Sequence, residues 1–423
     1  MAETGGQEAA SEFTPSSIKA AFCGWLGLFT GIVPLITATM SLFMVPMGNE
    51  FHLSRGQVSA ILVLSPGTTA VLAPFAGRFL DKVGFRKAIL IALFVFGFFM
   101  ASRAFVQNSW QLALSFMLVS VGSALNSSVG YAKLISVWFS RHRGLVLGLA
   151  MSLGAGLGSA LAPQVFRPLI HDHGWRQGYF WSGAFVLCVV LPVMWFALEE
   201  PPIKPGLHHA EAGSADGMTR AEAIRTRSFW FLLVAIFLAS MALVGTNAHA
   251  MPLLTERGFD PRIAVTEISC FYVGGIVGQF SCGWVSDRIN SYLVVTPYYA
   301  MALIGLLIVQ TTTSQMVLLP GAVVMGLGQG AEIAFSAYLT SRYFGLKAYG
   351  AIYAIFYSAS SAGIALGLYG MGAAHDYFGS YRPMALIFGA LLGVATLLVA
   401  TMGPYRYASR RPRAVAQAAA EEA

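Results

Sequence analysis

The chain has 423 residues, of which 56% are hydrophobic and only 11% charged, and its mean hydropathy is +0.66. Water-soluble domains carry about 25% charged residues, so a soluble globule is excluded. The formal net charge of +7 has no soluble basic domain to sit on, which excludes nucleic-acid binding and leaves the basic residues as topology signals.

Residues 1–19 are polar and acidic, with no basic n-region and no small-residue cleavage site, so the first apolar run is expected to be an uncleaved anchor. Uncharged runs longer than the ~18 residues that cross a bilayer then recur. Two of them are "AFCGWLGLFTGIVPLITATMSLFMVPMG" at 21–48 and, with its apolar flanks, "ILIALFVFGFFMAS" at 89–102. The pattern predicts an all-α membrane protein with twelve transmembrane helices, at roughly 20–47, 56–76, 88–107, 110–138, 143–165, 178–198, 228–250, 264–285, 291–311, 316–339, 347–372 and 382–403. Between the sixth and seventh, residues 199–227 are rich in Pro, Gly and charge and read as a linker. The expected organisation is a cytoplasmic tail (1–19), a six-helix half (20–198), the linker (199–227), a second six-helix half (228–403) and a second cytoplasmic tail (404–423).

The halves superpose in sequence at one offset. Gly77 and Gly283, Asp81 and Asp287, Lys82 and Arg288, Pro46 and Pro252, Gly122 and Gly328, and Gly144 and Gly350 all differ by 206. Six plus six helices repeated in the same orientation, related by a pseudo-twofold axis along the membrane normal, mark a parallel-repeat secondary transporter. Orientation follows from the basic residues. Lys19, Arg78, Lys82, Arg86, Lys87, Arg141, Arg143, Lys204, Arg220, Arg225, Arg227, Arg288, Arg342, Lys347 and the arginines after 405 fall on one side. They outnumber Arg55, Arg103, Arg167, Arg176, Arg257, Arg262 and Arg382 on the other, which places both termini and the linker in the cytoplasm. Arg103, Arg167 and Arg176 read as outer-rim charges.

Redox, metal and nucleotide chemistry find no support. Cys23, Cys188, Cys270 and Cys282 lie in apolar helices without CxxC spacing and read as packing. His208 and His209 read as solvated linker residues. The glycine run "LGAGLGSALAP" (153–163) lacks the Lys-Ser/Thr of a phosphate loop, and Gly154 and Gly158, four apart, suit close helix packing. No catalytic residue, cofactor or metal is expected.

The segment "GRFLDKVGFRK" (77–87) resembles the loop motif of the major facilitator superfamily, G-x-x-x-D-[RK]-x-G-x-[RK]-[RK], through Gly77, Asp81, Lys82, Gly84, Arg86 and Lys87. "GWVSDR" (283–288) echoes it with Gly283, Asp287 and Arg288. The two aspartates can accept from a neighbouring helix N-terminus or a basic side chain, latching the halves when the cytoplasmic side is shut. More finely, "WFSRHRGLVLGLAMSLGAGLGSALAP" (138–163), "NAHAMPLLTERGFD" (247–260) and "GAEIAFSAYLTSRYFGLKAYGAIYA" (330–354) are similar to the bacterial monocarboxylate and oxalate–formate branch. That resemblance implies a monomeric inner-membrane carrier of small organic anions, working with protons or by exchange. The branch's substrate-binding cation is not carried over, because helices eight and eleven have no matching basic residue and helix one has none past Lys19.

The resemblance implies a substrate site near mid-membrane between the halves, chiefly against helices one, four, seven and ten. Intramembrane charges are functional candidates by default, and Lys133 in helix four and Glu332 in helix ten are such charges. At the 206 offset Glu332 corresponds to Asn126, and the two are expected to face one another across the axis. Glu332 either exchanges a proton or ties two helices together. Lys133 is either the cation for a substrate carboxylate or a cytoplasmic-gate charge. Asn247 and His249, just before Pro252, are placed to relay protons or to cap the site, or are interface groups satisfied by water. Tyr131, Gln279, Tyr338, Tyr353, Tyr357 and Ser358 supply polar spots to an apolar pocket. Export or exchange of amphiphiles, drugs among them, and a non-transporting receptor on the same fold are the alternatives.

Overall fold

The computed structural model describes residues 13–126, 128–139, 142–200, 217–289 and 291–407. Within these, the side chains of 70, 73–78, 80–82, 128, 129, 133, 136, 143–145 and 287 are not described. The expectations for Gly77, Asp81, Lys82, Asp287 and the Lys133 side chain therefore lie outside the described groups.

Among the described residues, eleven helices are long and apolar enough to cross a membrane: α1 Pro15–Thr37, α3 Phe85–Phe105, α4 Ser109–Ala132, α5 Val146–His173, α6 Trp175–Ala197, α7 Arg227–Ala248, α8 Pro261–Ser286, α9 Tyr292–Thr311, α10 Gln315–Phe344, α11 Tyr349–Phe378 and α12 Arg382–Ala400. One more long helix, α2 (Arg55–Val83), joins them in chain order. Their starts carry capping chemistry. Thr14 and Ser17 form a reciprocal capping box ahead of Pro15 in α1, Asn108 accepts from Gln111 N at 2.9 Å in α4, and Asp260 accepts from Arg262 N at 2.6 Å in α8.

Among the described residues, three spans are interrupted. α1 widens at Val33–Thr37 around Pro34 and resumes as Met40–Glu50. α4 stops at Asn126, whose φ −82° and ψ 54° are not helical, and resumes as Ser128–Trp138. α7 stops at His249 and resumes as Ala250–Glu256. There Pro252 has no N–H for the Ala248 carbonyl, and its ring crowds that turn.

Buried apolar side chains form two large clusters. One draws mainly on residues 20–198, the other on 223–399. Equivalent contacts recur inside them. Gly122 of α4 lies so close to Ala92 O and to the Phe96 backbone of α3 that a Cβ would sit 2.8 and 2.6 Å away; Gly328 of α10 meets Tyr298 O and the Ala302 side chain of α9 at 2.8 and 2.3 Å. Each partner differs from its counterpart by 206.

Both described ends of the chain lie on one face. There Lys19 donates to Glu199 at 2.8 Å and holds its carboxyl below the usual range, Tyr343 donates to Gly403 O at 2.5 Å, and Tyr405 donates to Ser291 O at 3.0 Å. Each of these bonds stays on its own side of residues 201–216. Bonds that cross between the two sides run, among the described residues, from mid-helix to the opposite face. They link Ser152 to Gln279, Gln164 and Ala160 to Ser269, Ser59 to His249, and Ser54, Arg55 and Gly56 to Asp376. Among the described residues, hydrogen bonds therefore join the two clusters from mid-helix to the face opposite the termini.

Candidate functional site

A cavity of about 160 Å³ lies where the two clusters meet. Leu28 and Val33 of α1 and Met151 and Ser159 of α5 line it from one side; Tyr272, Gly275 and Gln279 of α8 and Gln329 and Gly330 of α10 line it from the other. The α8–α10 wall is built on glycine. A Cβ on Gly326 would stand 1.8 Å from Phe271 O, and one on Gly330 1.9 Å from Gly275 O, so the helices meet backbone to backbone. That approach leaves the longer Gln279 and Gln329 to reach the space between.

The walls are apolar with a few fixed polar groups, as a small-molecule site requires. Ser152 donates to Gln279 Oε1 across the two clusters. Ser159 Oγ and Gln329 Oε1 are buried with no hydrogen-bond partner among the described residues. A buried polar atom left unpaired costs about 1–3 kcal/mol, which a bound solute or water relieves.

Glu332 sits one step behind this wall, 3% exposed. Its Oε2 accepts from Gln329 Nε2 at 3.0 Å, and its Oε1 accepts from Ser240 Oγ of α7 at 2.9 Å. Ser240 and Ser360 of α11 are 2.7 Å apart. A chain of polar contacts thus runs from the cavity through Gln329 and Glu332 to α7 and α11. No described cation pairs with Glu332, and it makes no hydrogen bond to Asn126. Asn126 instead accepts from Tyr131 OH at 2.5 Å within α4 and its extension, and that hydroxyl presses on Gly27 of α1.

The remaining expected residues scatter. His249 is buried: its Nε2 lies 2.9 Å from Leu368 O and 3.4 Å from Ser59 Oγ, and its Nδ1 lies 3.3 Å from Tyr381 OH. Donation from Nε2 to the carbonyl leaves Nδ1 to accept from the tyrosine. Asn247 is 2% exposed, and its Nδ2 has no hydrogen-bond partner among the described residues. Tyr338 packs edge-on against Tyr405, Tyr353 stacks on Tyr349, and Tyr357 is 39% exposed; none lines the cavity. Ser358 donates to Ala354 O. In the loop motif, Gly84 adopts φ 88° ahead of α3, Arg86 donates to Trp195 O at 2.6 Å, and Lys87 is exposed. In its echo Gly283 is exposed, and Arg288 lies 3.9 Å over Trp284.

Two buried charges depart from expectation. Arg103 is no rim residue: it is fully buried, with its guanidinium 3.7 Å over Phe116 and 4.8 Å from the Tyr179 ring centre. The aromatic faces of α4 and α6 take the place of solvent. Glu267 of α8 escaped notice altogether, although it is 0% exposed with both carboxylate oxygens unpartnered among the described residues. Its signal was in the sequence, a Glu inside the helix expected at 264–285. Cys188 is exposed on its helix, unlike buried Cys23 and Cys282, so packing does not account for all four cysteines.

A family model described as Major Facilitator Superfamily matches residues 26–368 and 268–422. Monocarboxylate transporter 12-B of Danio rerio is 24% identical over 441 aligned positions, covering 92% of this chain and 89% of that protein. The gallate transporter of Pseudomonas putida is 25% identical over 356, covering 76% and 77%. The MFS-type transporter YcxA of Bacillus subtilis is 24% identical over 264, where this chain spans only 61% of that protein's length.

Proposed function

This chain belongs to the Major Facilitator Superfamily, and from that premise we propose that it carries small organic anions, monocarboxylates among them, across the inner membrane by alternating access coupled to protons. The proposed architecture has twelve spans, α2 included, in two six-helix halves (20–198 and 228–403) around the 199–227 linker. The recurring 206-residue contacts and the paired apolar clusters support it. With the termini in the cytoplasm, the joined face is the outer one, and the described arrangement is inward-facing. One molecule contains both halves and suffices for the cycle.

The observation that carries the substrate class is the cavity between the halves. Its volume of about 160 Å³ falls below the ~300–1,000 Å³ of drug-sized sites, so it suits a small solute rather than a large amphiphile. The names of the Danio and Pseudomonas relatives support carboxylates. Coupling runs through Gln329 on the wall and Glu332 behind it. A protonated Glu332 donates to the Gln329 carbonyl and turns its NH₂ towards the cavity, where it can bind a carboxylate. An ionised Glu332 holds that NH₂ for itself. Proton and anion are then favoured together.

Purified protein in liposomes tests this with a panel of radiolabelled monocarboxylates. A pH gradient with the acid outside should drive accumulation, and preloaded substrate should give counterflow. Saturable binding without counterflow would refute a carrier, and uptake indifferent to every carboxylate would refute the substrate class.

A further inference from the structure

The outer face is held by an unusual bond. Asp376, in the last turn of α11, reaches across to the first turn of α2. Its carboxylate accepts from Ser54 Oγ at 2.5 Å, from Arg55 N at 3.0 Å and from Gly56 N at 2.8 Å. Those backbone N–H groups are helix-terminal donors that no helical carbonyl can satisfy, and the helix dipole adds to the attraction. Close packing frames the contact. A Cβ on Gly56 would lie 2.6 Å from Asp376 Oδ2, and one on Gly372 would lie 2.4 Å from Ser59 Oγ and 2.7 Å from Arg55 O.

The other half lacks this arrangement. At the 206 offset Ser54 corresponds to Asp260 and Asp376 to Ile170. Asp260 caps its own helix, α8, from within the same half, and Ile170 carries no acceptor. One helix is therefore capped by its own chain neighbour, whereas α2 takes its anion from the opposite half. Helix capping alone does not require a partner 320 residues away. Ser54 and Gln57 already supply a local cap, with Ser54 N donating to Gln57 Oε1 at 2.9 Å.

We propose that Asp376, docked on the N-terminus of α2, is the latch that holds the outer gate shut, and that each opening to the outside breaks these three bonds. The latch closes the α2–α11 side, while the α5–α8 side is held by Gln164, Ser269 and the Ala160 carbonyl. Breaking it strands no buried group, because Asp376 and the α2 terminus both pass to water. The latch is thus strong enough to bias the equilibrium and weak enough to cycle. It rests on reading the chain as an alternating-access carrier, but it does not depend on which solute is carried.

The test is electron–electron distance measurement in nanodiscs, with nitroxides at the exposed outer positions His52 and Arg382, compared in wild type, Asp376→Asn, Gly56→Ala and Asp376→Ala/Ser54→Asp. Asp376→Asn removes the charge, and Gly56→Ala displaces the carboxylate without removing it. The combined variant gives α2 a charged cap of its own while leaving the halves unlinked. In all three variants the open-to-closed ratio should rise about ten-fold, as expected when charge-assisted bonds are lost from one state only. A combined variant that returns to the wild-type distribution would show that Asp376 is only a cap and would overturn the proposal. So would unchanged distances in both Asp376→Asn and Gly56→Ala. Failure of carboxylate transport with the distances shifted as expected would count against the substrate reading and leave the latch standing.

Discussion

Replacing Glu332 with Gln separates a proton-exchanging carboxyl from a helix tie. Its two oxygens accept from Ser240 at 2.9 Å and from Gln329 at 3.0 Å, and no described cation neutralises it. Its bonds come from one hydroxyl and one amide, and no described cation offsets the several kcal/mol that burying an unpaired charge costs. Bonds to a charged group contribute about 1.5–3 kcal/mol net and neutral ones about 0.5–1.5, so losing an ionised carboxylate would cost roughly 2–3 kcal/mol over the pair. Losing a neutral acid costs far less. The glutamine carbonyl still accepts from Ser240, and Gln329 can turn to offer its unpartnered Oε1 to the new NH₂. Denaturant unfolding in detergent should therefore show Glu332→Gln within about 1 kcal/mol of wild type. In liposomes it should lose pH-driven accumulation and keep counterflow, because Gln329 stays turned as if Glu332 were always protonated. A loss above about 2 kcal/mol together with intact accumulation would show a charged structural tie and refute the coupling.

Two further substitutions bear on the helices around the cavity. Glu267→Leu should stabilise the protein by about 1–3 kcal/mol, since it removes an unpaired buried carboxyl; a lowered unfolding midpoint in detergent would mean that Glu267 has a partner in the folded protein. Gly330→Ala puts a methyl where only 1.9 Å separates the Cβ position from Gly275 O. It should cost about 1–3 kcal/mol as α8 and α10 part and should raise the KM for transport, and wild-type values for both would disprove the glycine-wall account of the cavity.

How much was legible follows from the range over which each signal acts. The spans were, because a bilayer imposes a length and an apolarity that each segment carries alone; α5 still runs to His173, past the expected 165, because Pro163 and Pro168 lie inside it rather than ending it. Gln279 was expected only as one polar spot among several in an apolar pocket, and it lines the cavity. Gln329 was passed over three residues from Glu332, because an amide in an apolar run stands out less than a charge. The Asp376 bond had no local signal at all. An aspartate near a helix C-terminus reads as a loop residue until its partner, 320 positions earlier, is brought alongside.

The 206-residue register explains why equivalence in sequence did not translate into equivalence of role. Ser65 and Ser120 are hydrogen-bonded at 2.8 Å between α2 and α4. Their counterparts, Phe271 and Gly326, occupy the same crossing between α8 and α10 as a carbonyl against a bare Cα. One half keeps side chains at this crossing and the other removes them, which draws α8 and α10 together and brings Gln279 and Gln329 to the cavity. The same register pairs Asn126 with Glu332, yet Asn126 breaks its helix while Glu332 stands in an unbroken one. A repeat supplies two copies of a packing scheme. The site arises where the copies differ, because a binding group facing its own duplicate across an axis would meet like with like. The residues most worth perturbing are therefore those whose 206-partner is chemically unlike them: Glu332 against Asn126, Gln279 against Ala73, and Asp376 against Ile170.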